Sequence, residues 1–128
     1  MRIFLAGAAG AIGQRLSPML VADGHTVVGT TRSAEKAEWL RAIGVEPVRV
    51  DVYDADALRR VVVDARPDVV MHQLTDLPQQ YSDEAIAIAL PKNARIRDEG
   101  TRNLVAAAIA AGATRIIAQS IAFSISPA

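Results

Sequence analysis

The apolar run Ile3-Phe4-Leu5-Ala6 passes directly into Gly7-Ala8-Ala9-Gly10-Ala11-Ile12-Gly13, and this junction constrains the fold more than any other segment. Three glycines spaced by three, between a strand and a helix, make a turn almost free of side chains. Backbone N–H groups and the positive end of the following helix can then approach a diphosphate. In this reading Gly7 makes the tight turn, Gly10 lets the backbone close on the phosphates, and Gly13 lets the helix pack against the strand. The spacing is GxxGxxG and not the GxGxxG of the familiar dehydrogenase fingerprint. A glycine-rich stretch elsewhere in a chain would be an ordinary turn; the strand before it and the helix after it make it a nucleotide-binding expectation.

Strand and helix signals alternate along the rest of the chain. Arg2 to Ala6 reads as a first strand, and Ile12, Leu16, Met19 and Leu20 recur at helical spacing until Asp23-Gly24. Thr26 to Thr30 is a second strand. Ser33 is the expected N-cap of a helix carrying Ala37, Leu40 and Ile43, which Gly44 ends. Val45 to Val50 is a third strand, placed at a sheet edge by Pro47. Leu58, Val61, Val62 and Ala65 mark one face of a third helix, closed by Pro67. Asp68 to Leu74 is a fourth strand, and the polar stretch from Asp76 to Asp83 is a candidate binding loop. A short helix is expected over Ser82 to Leu90, a longer one over Asn93 to Ala111, and a fifth strand over Thr114 to Ser120. Such alternation implies an α/β, Rossmann-like, doubly wound parallel sheet of about five strands in the order 3-2-1-4-5. The glycine turn falls at its switch point, where ligands bind beyond the carboxyl ends of the strands.

Composition narrows the partners. With 128 residues, 51% hydrophobic and 22% charged, the chain suits one domain with a core of its own. Fourteen basic residues balance fourteen acidic ones, so no net field draws nucleic acid or an anionic membrane, and any anion site must be local. Cysteine is absent, which excludes disulfides and a thiol nucleophile and agrees with a cytoplasmic setting. The two histidines, His25 and His72, have no metal-ligand partner at useful spacing, and no metal site is expected.

The segments GAAGAIG (7 to 13), TTRS (30 to 33), Asp51, PDVVMHQL (67 to 74) and NARIRDEGTRNLVAAAIAAGATRIIAQS (93 to 120) together resemble the extended short-chain dehydrogenase/reductases, also called the NAD-dependent epimerase/dehydratase family. The likeness covers nearly the whole chain. It implies a Rossmann enzyme that works on nucleotide sugars and related compounds with a nicotinamide dinucleotide. It also implies a cofactor site built from Gly7, Ala9, Gly10, Ala11, Ile12, Gly13, Thr31, Arg32, Asp51, Val52, Gln73, Leu74 and Ser120, with Asp51 at the position that meets the adenine. Asn103 takes the family's asparagine position on the last helix; its alternative reading is a helix residue tied to a nearby backbone carbonyl.

The end of the second strand bears on which dinucleotide fits. NAD calls for a carboxylate on the ribose 2′-hydroxyl, whereas NADP calls for a cation on the 2′-phosphate. Thr30, Thr31 and Arg32 stand there, with Arg32 nineteen residues after Gly13, so NADP is expected over NAD. The alternative is a solvated Arg32 paired with Glu35. Other residues have plainer readings: His72 as a hydrogen-bonded structural residue, His25 in the turn before the second strand, Asp54 and Asp56 as complements to a helix dipole, and Trp39 as helix-to-sheet packing. The charged cluster from Lys92 to Arg102 reads as a solvated helix entry.

The resemblance also exposes a gap. The family's proton transfer rests on a Tyr-x-x-x-Lys pair, but Tyr53 is followed four positions later by Ala57 and Tyr81 by Ala85. The hydroxyl that polarises the substrate usually ends a Ser-Ser or Ser-Thr pair, which here reads Ser120-Ile121; Ser120 is the one catalytic candidate. The expectation is therefore an amino-terminal cofactor module whose carboxyl-terminal half is missing, completed by further chain or another polypeptide, possessing a small-molecule substrate once complete, and open to homo-oligomer formation. The alternative is a non-catalytic NADP-binding or redox-sensing module, or a degenerate remnant. With that half missing, the fifth strand is expected to be an exposed edge unless another chain or the tail Phe123 to Ala128 covers it, and the small apolar helix over Asn103 to Ala111 is expected to be buried on two sides.

Overall fold

The computed structural model describes residues 1–74 and 82–118. Strands β1 (Arg2–Ala6), β2 (Thr26–Thr31), β3 (Glu46–Arg49), β4 (Val69–His72) and β5 (Arg115–Ala118) form one parallel sheet in the order β3-β2-β1-β4-β5. This is the expected doubly wound topology, with Pro47 on an edge strand, where a missing N–H breaks no ladder. The strands are shorter at β3 and β4 than the apolar runs suggest, because Val50 and Gln73-Leu74 already belong to the loops at the carboxyl end of the sheet.

Two cores follow from strand alternation. Phe4, Ala6, Val28 and Val70 face one side, against Leu58, Val62 and Ala65 of α3 (Ala55–Ala65) and Leu104, Ala107 and Ala108 of α5 (Thr101–Ala111). Leu5 and Val27 face the other, with Leu40 of α2 (Ala34–Ala42) and Leu16 and Leu20 of α1 (Gly13–Ala22). Phe4, Leu5, Leu40, Val62, Val70 and Leu104 are wholly buried, and burial of each such side chain contributes about 1.5–3 kcal/mol. Ser33 caps α2 by accepting from Lys36 N, and Asp54 caps α3 by accepting from Ala57 N, so Asp54 serves the helix as its position suggests.

Two expectations are corrected. The two helices expected over Ser82 to Leu90 and Asn93 to Ala111 are one continuous rod: α4 (Asp83–Arg95), a π-helical turn over Ile96–Gly100, and α5. Pro91 does not break it, because Pro91 and Ala87, whose carbonyl loses its partner, both lie on the exposed side, where water can replace that bond. The buried stripe Ala89, Asn93, Ile96, Gly100, Leu104, Ala107 and Ala108 runs through without a break. Trp39 is 37% exposed, next to the wholly buried Leu40. The helix α5 is buried along the one face that meets α3, β4 and β5, and Ile109 on its outer side is 75% exposed. Among the described residues β5 is an edge strand, with Ile117 exposed. Among the described residues no helix is long and apolar enough to cross a membrane.

Candidate functional site

A cleft of ≈ 370 Å³ opens at the carboxyl ends of β1, β2, β3 and β4. Its floor is the glycine turn. Gly7 has a φ of +85°, in the left-handed region that favours glycine, and a Cβ there would lie 2.8 Å from the Gln73 carbonyl oxygen. At Gly13 an added Cβ would stand 2.1 Å from the Gly7 carbonyl oxygen, so the first turn of α1 sits directly on the loop. Gly10 differs: a Cβ would meet nothing closer than 3.5 Å, and Gly10 forms part of the cleft wall.

Several polar groups hold this turn. Gly7 N donates to Thr30 Oγ1 at 2.9 Å, and Ala8 N to the Thr30 carbonyl at 3.2 Å, so the end of β2 anchors the loop after β1. The fully buried Ser17 donates to the Ala8 carbonyl at 2.9 Å, and Gln14 Nε2 to the Ala9 carbonyl at 3.2 Å. The start of α1 has no side-chain cap and no acidic residue in its first turn, whereas Ser33, Asp54 and Ser82 cap the next three helices. Among the described residues the N–H groups of Ala11 and Ile12 meet no protein acceptor. Unpaired amides at a helix start concentrate positive potential, which suits an anion.

Of the site residues named from sequence, Gly7, Ala9, Gly10, Thr31, Arg32, Asp51, Val52, Gln73 and Leu74 line the cleft. Ala11 and Ile12 lie in the turn and Gly13 opens α1, outside the cleft wall. Ser120 falls outside the described residues, as do Tyr81 and most of the Asp76 to Asp83 loop. Ala6, Ser33, Lys36, Val50, Leu58 and Ile96, not named as site residues from sequence, also line it, as does Thr30 at the end of β2. A signal for Lys36 existed: it lies three residues after the Ser33 cap, in the first turn of α2, on the same end of the sheet as Arg32.

Arg32 does not pair with Glu35. Its guanidinium lies 3.8 Å from Asp51 Oδ2, with side chains 77% and 46% exposed, a loose pair that contributes little and leaves the guanidinium able to turn toward another anion. Asp51 Oδ1 accepts from Tyr53 N at 2.9 Å, which fixes the loop after β3. Tyr53 carries the Arg95 guanidinium 3.9 Å above its ring, and Arg95 also pairs with Glu99, while Arg102 pairs with Asp98. The charged cluster is thus a set of exposed helix pairs. Asn103 Nδ2 donates to the Val52 carbonyl at 2.8 Å, joining α5 to the cleft wall.

His72 is structural. It is 4% exposed, its Nδ1 accepts from Leu74 N at 3.1 Å, and it is hydrogen-bonded to the Ile96 backbone in the π turn. Burial pushes its pKa below the ordinary 6.5, the Arg97 charge adds to this, and the Ile96 bond opposes it. The unfolded chain therefore binds this proton first, so the His72 contribution to stability is complete above pH 6.5 and is lost as pH falls below it. Urea unfolding at pH 7.5 and 5.5 is expected to show that loss, and a His72→Gln variant is expected to show a smaller one.

Comparison with known proteins agrees with this architecture. A family model described as NAD(P)H-binding matches residues 7–126. The chain is 45% identical over 127 residues to a 3-diazoavenalumate denitrifying reductase from Streptomyces sp, covering 99% of this chain and 40% of that protein. It is 35% identical over 122 residues to a UDP-glucose 4-epimerase from Mycolicibacterium smegmatis, covering 91% of this chain and 37% of the relative. A UDP-glucose-4-epimerase from Stenotrophomonas maltophila, solved with bound NAD and formylated UDP-arabinopyranose, superposes with a TM-score of 0.76 at 25% identity, over 96% of this chain and 38% of that one. The chain therefore spans about two fifths of the length of these relatives. A glycine turn at the switch point of a 3-2-1-4-5 sheet, a matching model over nearly its full extent and epimerase-like neighbours lead to one conclusion: the chain belongs to the NAD(P)H-binding family, as a Rossmann portion of the extended short-chain dehydrogenase/reductase type.

Proposed function

We propose that this chain is the cofactor-binding portion of an extended short-chain reductase, epimerase or dehydratase, and that it favours NADP over NAD. The residues present fit the dinucleotide. The uncapped start of α1 and the open space at Gly10 suit the diphosphate, and the unpartnered Oε1 of Gln73 awaits a donor. The observation that carries the NADP preference is the pair of cations, Arg32 and Lys36, on the cleft wall at the end of β2, where the strand itself ends in Thr30-Thr31 with no carboxylate.

When bound, the nicotinamide ring would exchange hydride with the substrate. The share of the protein described here is to bind and orient: Gly7 to Gly13 hold the phosphates, Arg32 and Lys36 neutralise the 2′-phosphate, and Val52, Leu58 and Ile96 form an apolar wall along the cleft. The sequence holds no Tyr-x-x-x-Lys pair, and no proton transfer is assigned to the residues described here.

Calorimetric titration tests the preference. Arg32→Ala is expected to weaken NADPH by roughly 10- to 100-fold, the loss of one or two charge-assisted hydrogen bonds, and NADH by less than about threefold. Equal losses for the two coenzymes would remove the arginine from its assigned role. Binding of NADPH with no turnover by the full-length protein would favour the non-catalytic, redox-sensing reading.

A further inference from the structure

Gln73 carries the one buried side-chain polar atom among the described residues that has no hydrogen-bond partner, its Oε1. A buried acceptor left unsatisfied is destabilising, so its presence on a residue of the binding-cleft wall asks for a ligand that completes it. Its backbone N donates to the Ala6 carbonyl at 2.9 Å, continuing the β1–β4 ladder by one residue, and its carbonyl lies where a Cβ on Gly7 would touch it. The side chain therefore stands just past the end of β4, immediately beside the glycine turn. A mobile tether would make a poor positioning device; this one is held.

Its place in the cleft selects the group it meets. Arg32, Lys36 and Asp51 occupy the side formed by β2 and β3, and Gln73 and Leu74 occupy the β4 side, with the Gly7 to Gly13 turn between them. A dinucleotide with its 2′-phosphate on the cations and its diphosphate over the glycines must lay its other nucleoside over the end of β4. Phosphate oxygens have no hydrogen to give to Oε1. The nearest donors beyond the diphosphate are the ribose hydroxyls of the nicotinamide half, and a hydroxyl both donates and accepts, so it satisfies either end of the amide.

We propose that Gln73 is a positioning residue for the coenzyme: its side-chain amide takes a hydroxyl of the nicotinamide ribose, and the free protein tolerates an unsatisfied buried acceptor to keep that contact available. This rests on the reading of the cleft as a dinucleotide site. It adds a linkage between stability and binding that the reading alone does not contain.

Two variants of similar volume, Gln73→Met and Gln73→Leu, test it with two probes, NADPH and adenosine 2′,5′-bisphosphate, which lacks the nicotinamide ribose. The free variants are expected to melt about 3 °C or more above the parent, because an unsatisfied polar atom has been replaced by apolar surface. NADPH is expected to bind about 10-fold more weakly to either variant, while adenosine 2′,5′-bisphosphate changes by less than about twofold. Unchanged NADPH affinity, equal weakening of both probes, or a lower melting temperature in both variants would overturn the proposal. Failure of the parent protein to bind either probe would instead overturn the dinucleotide reading on which it rests, and the melting comparison keeps the two failures distinct.

Discussion

A leucine at Gly10 is expected to abolish coenzyme binding and leave the fold standing. The Cβ of the new residue meets nothing closer than the Gly7 carbonyl at 3.5 Å, an ordinary contact, and the position carries no left-handed φ. The rest of the side chain has only the cleft to enter, and the cleft measures ≈ 370 Å³. It would occupy the space over the turn where a diphosphate meets the backbone amides. Loss of those contacts, together with steric exclusion, should weaken NADPH and NADH alike by more than about 100-fold, equivalent to roughly 2.8 kcal/mol. Urea unfolding should place the variant within about 1 kcal/mol of the parent, in line with substitutions that leave the core untouched. Retained binding of either coenzyme would refute the placement of the diphosphate.

Alanine at Gly13 is expected to do the opposite, removing stability first and binding only as a result. Its Cβ would sit 2.1 Å from the Gly7 carbonyl oxygen and 2.6 Å from the Ala8 carbonyl carbon and oxygen. These are backbone atoms, fixed by the Thr30 contacts to Gly7 N and Ala8 N and by the Ser17 bond to the Ala8 carbonyl, so relief requires α1 to lift from the sheet. That motion would disturb the packing of Leu16 and Leu20 over Leu5. Overpacking of this kind should cost roughly 3 kcal/mol or more, a large part of the 5–15 kcal/mol typical of a domain. The midpoint of urea unfolding measures it; a parent-like midpoint would show that the close approach of helix and loop is not maintained in solution. Two glycines three residues apart thus answer to different physics, one to ligand space and one to helix packing.

Much of this was legible without coordinates. Strand order and parallel pairing follow from alternation, because consecutive parallel strands need helical crossovers of one hand, and that rule leaves few topologies. The glycine spacing located the mouth of the sheet, and the end of β2 located Arg32. The gap expected between Leu90 and Asn93 did not occur: Pro91 lies there, but on the exposed side of the helix, where water can replace the bond it removes.

The partner of Arg32 and the anchoring of Gly7 by Thr30 could be found only where distant segments meet, as could the exposure of α5 on its outer side. Residues 32 and 51, or 7 and 30, share no periodicity that connects them. The amino-acid sequence by itself determined the order of elements, the sheet and the glycine turn at its mouth, because those depend on local backbone preference and on apolar repeats. Only the tertiary structure decided that Lys36 joins Arg32, that His72 reaches the π turn, and that Gln73 is left with an unanswered acceptor. Contacts between elements depend on their exact separation and rotation, which no stretch of chain encodes alone.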